Sequence, residues 1–526
     1  MMKRIFLAVF MGMLLSSFQI ISAQETESSP IQSITEAEMR DHIFFLASDY
    51  LGGRVAPSAE YEIAAQYVAS QFVSGGLEPL KSDSGNMSGY FQEVPYERLV
   101  FGKEATWSLQ SATGMKEFTH NEDYKILEGR YMPEEAMEVV FAGYGIHEPD
   151  HGWDDFENID IKGKMVVVMA GAPMKKGKAV LPDSLHQQYN SMMGLQMKAM
   201  PVIEQGPAAI VLMLDKKTSA MIPFDRIPSN LSEEMYQYLG STGNNGGMRI
   251  PMVYLVKDEV TRSMFEGQKY DPVNIEEDGI KKYKTYQLED VSIETRFSVL
   301  DRAEVSFKNV VGIVKGTDPE LSDQFITVGA HLDHVAHPSG QVANGADDDA
   351  SGSAGVMEIA EAVAQNPPRR SVVFIAYTAE EMGLQGSHYF VNAGPLAIEE
   401  IKFNVNLDMI GRTTEENKET RSHYVLADSK YESKLVPFIS EINEATIQYP
   451  LIFDFHHMYS GSSDHASYAD AGIPAFFFFS GSHKDLHMPG DDADKIEYDK
   501  AVKISQLAYL ITMKLANMDE VPNFEE

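Results

Sequence analysis

The chain contains no cysteine in 526 residues. That excludes disulfide staples, a thiol nucleophile, thiolate-held zinc and iron–sulfur clusters. A lipid-modified N-terminal cysteine is excluded too. Any metal must rest on histidine and carboxylate. Positive charge is also scarce: 43 Lys and Arg stand against 78 Asp and Glu, a formal net charge of −35. Such a surface repels phosphate backbones, so no nucleic-acid partner is expected. Apolar runs beyond the first residues, such as Ile473 to Phe479, are too short to span a bilayer. Hydrophobic residues nevertheless make up 44% and charged residues 23%, the balance of a globular chain rather than a disordered or collagen-like one.

What is present begins with an address. Met1-Met2-Lys3-Arg4 is short and basic, and Ile5 to Leu15 is an unbroken apolar run. Ile21-Ser22-Ala23 then offers small residues where a signal peptidase cuts. The pattern predicts a signal peptide over 1–23 and an exported mature protein, periplasmic or extracellular, with no membrane span.

Residues 35–80 read as a helical region. Ala64, Val68 and Phe72 fall four apart, and Gly75-Gly76 ends the pattern. Residues 136–300 change character. Val139 to Phe141, Met165 to Met169, Gln205 to Leu214 and Ile250 to Leu255 read as short buried strands between Gly-, Pro- and Asp-rich turns. From Asn309 strand, loop and helix alternate. Phe325 to Gly329, Ser371 to Tyr377, Phe403 to Leu407 and Ala475 to Phe479 are strands. Ser351 to Gln365 is a helix, with Val356, Ile359, Ala360 and Val363 on one face. The alternation predicts an α/β fold with a mostly parallel mixed sheet flanked by helices.

Polar ligand types follow these strands in turn: His331 and Asp333, then Asp347-Asp348-Asp349, Glu380-Glu381, Asp408 and His487. In open α/β sheets ligands bind beyond the carboxyl ends of strands. Zinc takes histidine nitrogen and carboxylate oxygen, and catalytic sites leave one position open. Five ligands exceed one such zinc but suit two that share a carboxylate. The expected arrangement has Asp347 as the bridge. His331 and Asp408 complete one ion, and Glu381 and His487 the other. Asp333 would hold the second ring nitrogen of His331. Glu380, left over beside a ligand, would be the general base. Each piece has a plain structural alternative. Asp347 to Asp349 and Glu380-Glu381 suit helix N-termini, Asp408 suits a buried ion pair, and His487 a loop.

The successive segments ITVGAHLDHV, NGADDDASGSAG, AYTAEEMGLQGS, NVNLDMIGR, SSDHASYADAGIP and LHMPGDDADK resemble the motifs of the co-catalytic zinc exopeptidases of peptidase family M28. The resemblance covers roughly 309–500, with an entry segment LASDYLGGR. It implies two zinc ions held by His331, Asp347, Glu381, Asp408 and His487, with Glu380 as base, and peptides as substrates. VVFAGYGI, DIKGKMVVV, QGPAAIVLM and IPMVYL resemble a protease-associated domain. The expected division is a signal peptide over 1–23, a catalytic domain over 24–130 and 301–515, an insert over 131–300, and a loose acidic tail over 516–526.

One position departs from the family pattern. Where many members carry a tyrosine before the last histidine ligand, this chain has Leu486. His465, after Ser463-Asp464, or nearby Tyr459 is expected to supply the oxyanion donor instead. His334, His337, His456 and His457 are set aside as bystanders near the mouth, and Arg54 and Arg412 as structural ion-pair partners. The resemblance implies an aminopeptidase. The alternatives are a glutamate-type carboxypeptidase, which needs an Arg cluster, a glutaminyl cyclase, or a receptor-like binding protein.

Overall fold

The computed structural model describes residues 29–79, 87–129, 135–175, 177–203, 205–214, 224–227, 234–240, 251–268, 284–337, 339–457 and 459–525. The expected signal peptide lies outside them. The helical region at the start is two helices, α1 (Glu36–Leu46) and α2 (Ala59–Ser74). Gly52, in the left-handed region at φ 54°, and Pro57 break the chain between them. Ser58 then caps α2 by accepting from the Tyr61 N–H at 2.9 Å.

The elements that follow are β1 (Phe91–Ser111), β2 (Met137–Phe141), β3 (Met165–Met169), β4 (Ala209–Met213), β5 (Met252–Val256), β6 (Tyr286–Val314) and β7 (Phe325–His331). Next come α3 (Gly352–Gln365), β8 (Ser371–Tyr377), α4 (Gln385–Ala393), β9 (Ile401–Leu407), β10 (His423–Leu426), α5 (Glu432–Ala445), β11 (Leu451–Phe453), β12 (Ala475–Phe479) and α6 (Tyr498–Asn517). In the C-terminal half the strand order is β11-β10-β12-β9-β7-β8-β6. The central strands β8, β7, β9 and β12 run parallel, and β6 and β10 join them antiparallel. This is the mostly parallel mixed sheet the sequence predicts.

The centre of that sheet explains its composition. All seven residues of β8 are buried. Val372, Phe374 and Ala376 face the core under α3 and α6, and Val373, Ile375 and Tyr377 face the one under α4. Two buried faces require apolar side chains at every position rather than at alternate ones. On the first face, Val356, Ile359, Ala360 and Val363 of α3 pack inward at helical spacing.

The insert has its own core, and it begins earlier than the sequence suggests. Leu99, Phe101, Trp107 and Leu109 already belong to it, together with the inner faces of β2, β3 and β4. The boundary expected at 131 therefore falls inside this core. The cause is a pair of long strands that local patterning does not reveal. β1 and β6 run antiparallel from Phe91 against Val310 out to Gln110 against Ser292. Midway, Ser298 to Asp301 are exposed, so no apolar alternation marks the ribbon between the two cores. Beyond it, β6 pairs with β2, and β2, β3, β4 and β5 continue as parallel neighbours. The insert returns to the catalytic half through Tyr238, whose ring meets those of His388 and Tyr389 on α4 edge-on.

The C-terminal residues are not a loose tail. α6 continues to Asn517, and Phe524 is buried against Phe403 and Phe438, with ring centroids 5.0 and 5.4 Å apart. Arg370 donates to the carbonyls of Met518 and Asp519 and holds the segment in place. An acidic composition hides one aromatic anchor, and the anchor decides the outcome.

Candidate metal centre

The polar residues that follow the strands converge at the carboxyl ends of β7, β8 and β9. His331 is the last residue of β7 and pairs across to Tyr377, the last of β8. Asp408 directly follows β9, and Glu380 stands three residues past β8. The His331 Nε2 lies 3.1 Å from Asp348 Oδ1, 3.6 Å from Asp408 Oδ1 and 4.0 Å from Glu380 Oε2. The other oxygen of Asp348 faces a second group. Asp348 Oδ2 is 3.1 Å from His487 Nε2 and 3.5 Å from His334 Nδ1. Glu381 Oε1 is 3.2 Å from each of the same two histidines. Two sets of donors thus share one carboxylate.

That carboxylate is Asp348, not Asp347, which corrects the expected bridge. The Asp347 side chain points elsewhere. Its Oδ1 accepts from the Gly411 N–H at 2.6 Å and the Ser351 hydroxyl at 3.1 Å, and its Oδ2 lies 3.3 Å from His483 Nε2. Asp349 is occupied as well. It accepts from the backbone N–H groups of His331, Gly352 and Met409 at 3.2, 2.9 and 3.0 Å, tying β7, α3 and the Asp408 turn together. Asp491 in turn accepts from the N–H groups of Asp347 and Asp348 at 2.9 and 3.1 Å. Of three adjacent aspartates, the outer two fix the scaffold and the middle one faces the site.

Asp333 also differs from expectation. Its backbone carbonyl, 3.0 Å from His331 Nδ1, orients that ring. Its carboxylate instead accepts from the N–H groups of Glu380 and Glu381 at 3.0 and 3.3 Å, so it aims the turn that carries both glutamates. Three residues beside or within the site adopt left-handed backbone without being glycine: Ala379, Met409 and His487, at φ 54°, 61° and 56°. Such conformations persist where surrounding bonds over-determine them, as Asp349 does at Met409.

The remaining expectations divide. Arg412 forms its ion pairs, at 3.0 Å to Asp485 and 3.4 Å to Asp491. Arg54 does not form one. It is fully buried and donates to the carbonyls of Leu46, Leu332, Asn344 and Gly345 at 2.7–3.0 Å. His465 is not brought to the cluster. Its ring stacks on Phe477 at 4.4 Å, its Nε2 lies 2.8 Å from the Ser460 carbonyl, and burial pushes its pKa down to about 4. Tyr459 and Leu486 both pack against the aromatic cluster that includes Phe477 and Phe479. Of the histidines set aside, His337, His456 and His457 stay out of the cluster, and His334 enters it. The spacing H-x-D-H was the available signal, since His334 follows His331 by three residues on the same turn.

Charge in the cluster is crowded. Burial works against an imidazolium at His331, but Glu380, Asp348 and Asp408 outweigh it and hold its pKa well above the histidine range. Burial, with Glu381 and Asp408 beside it, pushes the Glu380 carboxyl well above its usual value. Burial and Asp348 oppose ionisation of Glu381, yet the imidazoles of His334 and His487 bring it down to about 2. Asp464, which the sequence reading passed over, is buried nearby. Burial, reinforced by Asp333 and Asp408, raises it to about 7.

The donor set fits divalent cations. Donor atoms about 2.0–2.2 Å from a tetrahedral zinc stand about 3.3–3.6 Å apart. The donor separations in the two sets run from 3.1 to 3.6 Å, close to those edges. Asp348, Glu381, Asp408 and Glu380 supply four negative charges, which two divalent ions would balance.

Residues 309–512 match the model of Peptidase family M28. Aminopeptidase YwaD of Bacillus subtilis (strain 168) is 28% identical over 219 residues, 39% of this chain and 43% of the relative. Leucine aminopeptidase 1 of Grosmannia clavigera is 30% identical over 215 residues, 38% of this chain and 52% of the relative. The match thus spans about half the length of these curated relatives. The solved aminopeptidase from Aneurinibacillus sp. strain AM-1 superposes with a TM-score of 0.52 at 18% identity, over 94% of this chain and 97% of that one. Every member of the cluster lies within residues 309–512, the stretch that matches the model of Peptidase family M28.

Proposed function

We propose that the protein is a zinc-dependent aminopeptidase that releases N-terminal residues from peptides. The observation that carries this reading is the placement of two histidine–carboxylate sets on the two oxygens of Asp348, with Glu380 beside the first set. His331, Asp348 and Asp408 would hold one ion, and Asp348, Glu381 and His487 the other. Zinc bound there would polarise a carbonyl and lower the pKa of water.

The chain's own residues supply the rest. Glu380 accepts the proton of the attacking water and returns it to the leaving amine. Asp333 keeps that carboxylate in register through the backbone bonds to Glu380 and Glu381. Tyr459, which packs against the same aromatic cluster as Leu486, is assigned the oxyanion contact in place of His465. The two guanidinium groups bordering the site are already engaged, Arg54 by four carbonyls and Arg412 by two carboxylates. Neither is free to hold a substrate carboxylate, which argues against a carboxypeptidase. The names of the matched relatives support the same choice. Residues 1–23 support export, and the insert, by its resemblance to a protease-associated domain, is read as controlling substrate access.

The test pairs substrates. Short peptides with free N-termini and their N-acetylated twins are incubated with zinc-loaded protein, with and without chelator. Cleavage of the free set alone, abolished by chelator, is expected. Cleavage of both sets from the C-terminal end would overturn the aminopeptidase reading.

A further inference from the structure

The site has one more nitrogen than the reading above uses. His334 is fully buried, and neither of its ring nitrogens has a hydrogen-bond partner. A buried imidazole that makes no hydrogen bond is costly unless something else takes its lone pair. Its Nδ1 lies 3.2 Å from Glu381 Oε1 and 3.5 Å from Asp348 Oδ2. His487 Nε2 sits 3.2 and 3.1 Å from the same two oxygens. The two rings meet at 73° with centroids 5.6 Å apart, so they approach those oxygens from different directions. Four nitrogen-to-oxygen separations of 3.1–3.5 Å are therefore present, each near the spacing of zinc donors.

The backbone is shaped to admit this ring. Gly345 has φ +56°, and a Cβ there would stand 2.7 Å from the His334 Cγ and 2.8 Å from its Cδ2. The Asp348 carbonyl oxygen would be met nearer still, so the glycine serves the loop's own turn as well as the ring.

We propose that His334 is a fourth protein donor to the second ion, beside His487, Glu381 and Asp348. The proposal rests on the two-zinc reading and deepens it. It makes the two positions unequal. The first has three protein donors, His331, Asp348 and Asp408, and keeps an open position beside Glu380. The second is filled by two imidazoles and two carboxylates, the closed pattern of a structural zinc. A second nitrogen also favours zinc over manganese or magnesium there. The second ion thus anchors the site, and the first position is the exchangeable one.

The experiment counts metal rather than turnover. Zinc-loaded wild type and His334→Ala are dialysed against increasing chelator, and zinc per chain is measured. Each metal-free protein is also titrated calorimetrically with zinc alone and with manganese alone. Wild type is expected to lose its zinc in two steps, holding one ion after the other has left. His334→Ala is expected to lose both together, with its tighter site weakened at least about 10–100-fold, the loss typical even of partners behind a ligand. His334→Gln, which preserves side-chain bulk, gives the same readout should the alanine variant not fold. Wild type that takes up two zincs, with either folded variant binding them unchanged, overturns the His334 assignment alone. Wild type that takes up fewer than two zincs overturns the two-metal reading beneath it.

Discussion

Asp347, Asp348 and Asp349 share one chemistry and have three different surroundings. Asp347 answers Gly411, Ser351 and His483, Asp349 answers three backbone N–H groups, and Asp348 alone faces His331 and His487. Two substitutions separate these roles. Asp348→Ala should lower bound zinc below two per chain by elemental analysis. Asp347→Ala should retain zinc but lose stability, because the Gly411 N–H is left buried without its acceptor, a cost of about 1–3 kcal/mol. Equal zinc loss in both would remove the distinction. Glu380→Gln keeps the shape of the side chain and removes its basicity. Zinc content should stay at the wild-type level while kcat falls about 10²–10⁴-fold, the usual contribution of a general base. Turnover near wild type would take Glu380 out of the mechanism.

Among the elements, the turns past the strands matter more than the strands themselves. Arg54, carried between α1 and α2, reaches the carbonyls of Leu332 after β7 and of Asn344 and Gly345 before Asp347. It joins the two turns that carry His334 and Asp348. Arg54→Met keeps much of the stem but leaves those carbonyls without donors. Each unsatisfied buried group costs about 1–3 kcal/mol, so a total loss of about 3 kcal/mol or more is expected in chemical denaturation. A change below about 0.5 kcal/mol would show that water replaces the guanidinium. The sequence motif LASDYLGGR identified this arginine but not its partners, since a buried arginine without a carboxylate nearby in sequence reads as half of an ion pair.

At the scale of the molecule, two cores are joined by the β1–β6 ribbon, and the cluster belongs entirely to one of them. Metal removal should therefore be felt unevenly. An ion present at about 100 times its Kd stabilises the state that binds it by about 2.7 kcal/mol. In hydrogen exchange, chelator should speed exchange in 331–334, 345–352 and 379–384, and leave β2, β3 and β4 unchanged. Uniform acceleration across the insert would mean that the two cores unfold as one unit.

Much of this was legible from residues alone. β8 and β12 were read to the residue, because a strand buried on both faces leaves a continuous apolar run. The members His331, Glu380, Glu381, Asp408 and His487 were legible because each follows a strand, and strand ends of a parallel sheet converge. The β1–β6 ribbon was not legible, since its exposed middle carries no local hydrophobic signal and its pairing spans nearly 200 residues. Phe524 escaped notice because one aromatic in an acidic segment says nothing about the pocket waiting for it. Nor could sequence choose among three consecutive aspartates or admit His334. Which carboxylate faces inward depends on the turn's dihedral angles, and those are fixed by Asp491, Arg54 and Gly411, whose bonds to the turn span 64 to 291 positions along the chain. Composition and order decided what chemistry this chain carries; packing between distant segments decided which atoms face one another.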